Sequence, residues 1–383
     1  MISNKFYGDF SENSITIKIN QLKEKGIELL NLIESNPTVC DFNYASELIL
    51  NSLKSVNNLI YDPTPGGSFH VREKISELHK KNIDTEDIIL TAGTSESYSY
   101  LFKLLTDPGD NILIPCPSYP LLDILCGLES IEQRYYKLNY TENKWEIDFD
   151  SIKKNINEKT KAIIVINPNN PTGNYISKKE SDFLIRFCDK NKIALIVDEV
   201  FNDFSLSENK FSFTEAEISE NSILFVLNGI SKMLALPQLK LGWIINLSGD
   251  KKKKSCQNIL EMISDTYLTV NTPVQNAFPV LLQAGNDIKS QIIKRITANY
   301  NFLNNHFASD SINSVLTVEG GWYAVIKSLS EGDDEQRVLY FLENHRVNMH
   351  PGYFYNFDDD GYLIISLIIK ESEMQNGIIK VFR

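Results

Sequence analysis

Short, unbroken apolar runs recur along the chain at Ile88–Thr91, Ile112–Ile114, Ala162–Ile166, Ile193–Val197 and Ile223–Leu227, with amphipathic stretches between them. Continuous rather than alternating hydrophobicity marks strands covered on both faces. Between these runs, SESYSYLFKLLTD and SKKESDFLIRFCDKN carry apolar residues three and four apart, and each opens with a serine able to cap a helix. The alternation predicts an α/β fold in which helices sandwich a mostly parallel sheet. Ligands of such sheets bind beyond the carboxyl ends of the strands, which directs attention to the polar motifs that follow each run.

The pattern changes after about Thr272. A long helical stretch including Asp287–Phe307, then short strands around Trp322–Lys327 and Tyr362–Ile369, predicts a smaller α+β domain. The first 40 or so residues hold one predicted helix and little core of their own. The expected division is a large domain over residues 45–272, with residues 1–44 and 273–383 forming the smaller one.

Composition narrows the function classes. At 383 residues, 42% hydrophobic and 23% charged, the chain can bury the core of two or three domains. A formal net charge of −12 argues against general affinity for nucleic acid or an anionic membrane surface. The one basic run, Lys251–Lys254, reads as a solvated loop or helix start. Five scattered cysteines form no CxxC pair and no cysteine–histidine cluster with metal spacing, so free thiols are expected. The N-terminal MISNKFYGDFSENSITIK lacks a leader-like apolar region, and the apolar stretch Tyr362–Ile369 is far short of a membrane span. A cytoplasmic location is the expectation.

Five segments carry candidate chemistry. ILTAGTSES runs a strand into Gly93, Thr94 and Ser95 at a helix start, where backbone N–H groups and hydroxyls suit a phosphate; the same residues also make an ordinary helix start. In IPCPSYPLLD, Tyr119 stands between prolines after a strand, placed either to stack on a heteroaromatic ring or simply to pack. NPNNPTGN ends another strand in turn-forming residues around Asn170. IALIVDEVFNDF delivers Asp198 at the end of an apolar strand, and a carboxylate buried there needs a partner such as a protonated pyridine nitrogen. SILFVLNGISKMLALPQLKLGW places Ser231 and Lys232 just past a strand, with Lys240 eight residues on, a setting for covalent catalysis through an amine.

In this order and spacing, the five segments resemble the class I/II pyridoxal-phosphate-dependent aminotransferases of fold type I, over about Asn31 to Ser366. The resemblance implies a Schiff-base lysine at Lys232 that also moves the proton between substrate and cofactor, and Asp198 on the pyridine nitrogen. It implies Tyr119 stacked on the ring, Asn170 on the ring hydroxyl and the substrate carboxylate, and Gly93, Thr94, Ser95, Ser231 and Lys240 around the phosphate. Tyr61 in YDPTPGGS matches the tyrosine that reaches the neighbouring subunit's phosphate, which implies a homodimer with shared sites. Asn36 in NLIESNPT and Thr272 in TYLTVNTPVQ match places that shape the substrate pocket, though both also suit turns or caps. His350 lies on a loop that often borders the pocket. The implied activity moves an amino group between an amino acid and a 2-oxo acid with pyridoxal 5'-phosphate.

Four positions depart from the family pattern. Phe201 replaces a tyrosine that donates to the ring hydroxyl, Lys240 replaces an arginine, and Gly229 replaces a phosphate-binding serine. Ile364 in GYLIISLII stands where an arginine two residues before a serine would grip the α-carboxylate. That substitution keeps a lyase, decarboxylase or cyclase working from the same lysine as the alternative. A ligand sensor on this scaffold is disfavoured by the retention of Lys232 and Asp198, and no GxGxxG or GxxxxGK[ST] follows a strand to support a dinucleotide or nucleotide enzyme.

Overall fold

The computed structural model describes residue 5 and residues 11–382 except 209 and 331. The leaderless reading of the first residues falls largely outside the described ones. Eight strands, Ile88–Thr91 (β1), Asn111–Cys116 (β2), Glu132–Thr141 (β3), Lys144–Ile147 (β4), Thr160–Ile166 (β5), Ala194–Asp198 (β6), Leu224–Gly229 (β7) and Gly242–Asn246 (β8), form one sheet. Their order is β1-β8-β7-β6-β5-β2-β3-β4. The pairs β3–β2, β2–β5, β5–β6 and β6–β7 are parallel, whereas β8 runs antiparallel to both β7 and β1.

Each of the five apolar runs meets a strand of this sheet, with Ile193 and Ile223 one residue before theirs. Successive residues of a strand face opposite ways. Ile163 and Val165 accordingly join one hydrophobic core and Ile164 the other, as do Leu195 and Val197 against Ile196. Burial on both faces explains why these runs do not alternate, and each such side chain contributes about 1.5–3 kcal/mol on burial. The edge hairpin of β3 and β4 has no counterpart among the predicted runs. Edge position leaves β3 half exposed, so its hydrophobic signal is diluted.

The helices refine two expectations. Ser177 caps the helix Lys178–Asn191 through a reciprocal capping box with Glu180. The helix Thr94–Leu105 instead starts from Gly93, at φ 130°, and no side chain caps it; Ser95 is its second residue rather than its cap. The lysine run opens the helix Asp250–Tyr267, where Lys253 reaches Asp87 at 2.7 Å.

A second, four-stranded antiparallel sheet is built from Asn313–Val315 (β9), Tyr323–Ser328 (β10), His350–Pro351 (β11) and Tyr362–Ser366 (β12), in the order β9-β10-β12-β11. The two sheets are tied by one 36-residue helix, Thr272–Phe307. Its first part, with Val274, Phe278 and Leu281, packs in a core beside the large sheet, and its later part, with Ile288, Ile292 and Leu303, packs in the core of the small one. No helix among the described residues is long and apolar enough to cross a membrane.

Candidate active site

The carboxyl ends of β5, β6 and β7 open into one cleft of about 190 Å³. β6 delivers Asp198, β7 leads through Gly229 to Ser231 and Lys232, and the turn after β5 presents Asn170; all of them line the cleft together with Thr94, Ser95 and Tyr119. Segments that are far apart in sequence thus converge where the topology predicts a ligand.

Asp198 is buried, and that burial raises its pKa to about 6. Two donors work against the shift. The Val200 N–H reaches Oδ1 at 3.0 Å, and the Tyr98 hydroxyl donates to Oδ2 at 3.0 Å. Lys232 shows the opposite displacement: desolvation holds its ammonium below the ordinary lysine range, while Asp198 pulls it back up. Its Nζ sits 5.1 Å from the centre of the Trp322 ring and 5.5 Å from that of Phe201. A lysine that loses its proton readily is a better nucleophile and proton carrier, and perturbed acid–base pairs of this kind gather at working sites.

The remaining cleft walls fit pyridoxal phosphate. Thr94 and Ser95 open the helix Thr94–Leu105, whose N-terminal dipole suits a phosphate. Gly242 lies so close to Gly93 that an added Cβ would come within 2.9 Å of the Gly93 Cα, so backbone rather than side chain fills that corner. Asn170 is buried with its Oδ1 unpaired, which leaves an amide open to a ligand in the cleft. Tyr119 is 42% exposed at the cleft edge, in keeping with a ring face offered to a planar partner.

Other sequence candidates lie apart. Asn36 is exposed and accepts from the Thr38 N–H at 3.1 Å, capping the short turn Pro37–Val39. Thr272 is the first residue of the long helix, capped by Asn271. Both positions satisfy helix ends, and neither residue lines the cleft. Lys240 is exposed at φ 55°, two residues before Gly242 and outside the lining. Tyr61, 60% exposed, is also outside the cleft of its own chain. His350 sits in the small sheet beside Ile364.

Several lining residues carried no signal strong enough to single them out. Tyr98 follows Thr94 by one helical turn, so its direction was readable even though its partner Asp198 was not. Tyr323 and Ser35 meet at the cleft only because tertiary pairing joins segments nearly 300 residues apart, as when the Ser366 N–H bonds the Leu32 carbonyl at 2.7 Å. Leu121, Leu122 and Leu125 form an apolar wall from the helix that follows PSYP.

Comparison with known proteins gives the family. The family model described as aminotransferase class I and II matches residues 37–380. The glutamate-pyruvate aminotransferase AlaA of Haemophilus influenzae is 26% identical over 379 residues, covering 95% of this chain and 92% of the relative. A tyrosine aminotransferase of Dictyostelium discoideum is 29% identical over 249 residues, 64% of this chain and 59% of the relative. The structure of an alanine aminotransferase from Pyrococcus furiosus superimposes with a TM-score of 0.89 at 24% identity, covering 99% of this chain and 98% of the other. An aspartate aminotransferase from Thermotoga maritima gives 0.83 at 21% identity, covering 97% and 96%. With a model match across nearly its whole length and a fold type I architecture, this chain belongs to the class I and II aminotransferases and is a pyridoxal-phosphate-dependent transaminase.

Proposed function

We propose that Lys232 and Asp198 carry the transamination in this chain, by a ping-pong exchange in which one donor leaves its amino group and a carbonyl acceptor collects it. The observation that carries this reading is the pair of opposed pKa displacements in one cleft, with Asp198 pushed up and Lys232 pushed down. Once bound, the cofactor supplies an aldehyde that takes up the amino group and a ring that accepts an electron pair. Lys232 would hold that aldehyde and would carry the proton to and from the reacting carbon. Asp198, held by Tyr98 and Val200, keeps the ring nitrogen protonated. Tyr119 would cover one ring face, Asn170 would bond the ring oxygen, and Thr94, Ser95 and Ser231, which line the cleft, would hold the phosphate.

A homodimer completes the site in this reading, with Tyr61 crossing to the second copy's phosphate. Val56 at 79%, Leu59 at 88% and Ile60 at 64% exposure form with Tyr61 a run of uncovered apolar side chains, which supports burial against another copy. Five buried free thiols support a reducing, cytoplasmic setting.

Borohydride treatment of the yellow purified protein tests the assignment. The reduced cofactor is expected as a mass increment on the peptide containing Lys232, and an increment elsewhere overturns it. Conversion to a stable pyridoxamine form by an amino donor is expected; release of carbon dioxide or ammonia without that form favours a lyase or decarboxylase instead.

A further inference from the structure

The cleft has a charged side and a neutral side. Among the described residues lining it, Lys232 carries the one cationic side chain, and that nitrogen is committed to chemistry. The small sheet reaches the cleft through Tyr323. Residues opposed across an antiparallel pair share a face, as do residues two apart on a strand. Tyr323 opposes Ser366, Val325 opposes Ile364, and Ile364 in turn opposes His350. Val325, Ile364, Ser366 and His350 therefore share the face of Tyr323 and back it, while Tyr323 is the one of them that lines the cleft.

None of these groups is charged near neutral pH. Ile364 and Val325 are fully buried hydrocarbon. Tyr323 keeps its proton, because burial pushes its pKa to about 12, and burial pushes His350 down to about 4, which leaves the imidazole neutral. Ser366 is buried with its hydroxyl unpaired. The segment 56–68, which would cross from a second copy, contains Asp62 and no lysine or arginine. A carboxylate brought against such a wall would lose its water without gaining a cation. The leucine side of the cleft instead favours an apolar substituent.

We propose that one of the two substrate pairs exchanged at this site carries no carboxylate on the reacting carbon: a primary amine and its aldehyde or ketone, with an apolar substituent. This rests on the transaminase reading above. In the forward half-reaction the substrate C–H proton would pass to Lys232, which would return it to the cofactor's former aldehyde carbon, while the C–H electron pair would go to the cofactor and the amino nitrogen would stay on that carbon. One water provides the carbonyl oxygen of the departing product. The substrate carbon is oxidised by two electrons and the cofactor is reduced by two, until a second carbonyl compound reverses the exchange.

The test uses holoenzyme and matched pairs of donors: isoamylamine against leucine, phenethylamine against phenylalanine, and ethylamine against alanine. Loss of the yellow band and mass spectrometry of the carbonyl product give kcat/KM for each half-reaction. Each amine is expected to react at least tenfold better than its carboxylated counterpart. A second readout needs no turnover: 4-methylpentanoate at millimolar concentration is expected to leave the pH titration of the yellow band unmoved. Amino acids that match or outpace the amines overturn the inference and leave the transaminase intact, and so does a clear carboxylate-induced shift. Silence with both series overturns the transaminase reading as well. An Ile364→Arg variant that stays folded and yellow is expected to gain at least tenfold towards leucine relative to isoamylamine; an unchanged ratio in such a variant counts against the proposal.

Discussion

The two sides of the cleft were built by different means. On the large-sheet side, parallel strands end in Asp198 and Lys232, charged groups taken out of water and held at displaced pKa values by burial. On the small-sheet side, Tyr323 lines the cleft with a hydroxyl that burial keeps protonated, and Ile364 and Ser366 lie fully buried on the same face of the sheet. Burial alone therefore does not define the working half; burial of paired, ionisable groups does. The difference separates a half of the cleft that holds displaced ionisable groups from a half that holds none.

The comparison can be broken by experiment, beginning with the largest effect. Lys232→Ala is expected to lower kcat by more than about a thousandfold, because it removes both the covalent anchor and the proton carrier; stopped-flow absorbance with a working donor measures it. Asp198→Asn is expected to cost about 10²–10³ in kcat/KM while cofactor still binds, since a neutral amide does not hold the ring nitrogen protonated. A loss under tenfold would erase the distinction between the two sides.

Glu199, next in chain to Asp198, sharpens the same contrast through stability. It accepts from the Ser212 hydroxyl at 2.7 Å and the Phe213 N–H at 2.8 Å, yet burial still raises its pKa from 4.5 to about 7. The folded chain thus binds this proton more tightly than the unfolded one. The resulting stability is fully present below about pH 4.5 and is lost as pH rises to about 7, a change of roughly 2–3 kcal/mol. Thermal midpoints of the cofactor-free protein at pH 5 and pH 8 are expected to fall more for the parent than for Glu199→Gln; equal falls would refute the assignment.

Tyr98→Phe is the mildest change. Loss of its donated bond removes one influence that lowers the Asp198 pKa. The acid limb of the kcat/KM profile should move to higher pH, with kcat down about tenfold at pH 6 and KM little changed. A purely structural role for Tyr98 would leave that profile in place.

Much of the large-sheet side was legible in the sequence. Buried parallel strands advertise themselves as apolar runs, and Asp198, Ser231 and Lys232 stand at their ends, where the topology puts ligands. Asn36 and Thr272 were less readable because the residue types that cap helices also bind substrates. The neutral wall was harder still. Ile364 showed only that an arginine was missing, whereas its neighbours Tyr323, Ser366 and His350 depend on register between strands, which side-chain patterns leave unspecified. Tyr98 lay in plain view on its helix, but hydrogen bonding across 100 residues has no local signature.

The helix Thr272–Phe307 has a mechanical consequence. At Gly285 it presses against Leu234, two residues beyond Lys232, so closely that an added Cβ would come within 2.2 Å of the leucine Cδ2. From that contact to Phe307 the rod extends about 33 Å, so a tilt of about 5° there would swing its far end by about 3 Å. A single methyl group at Gly285 would therefore push directly on the segment that carries Lys232.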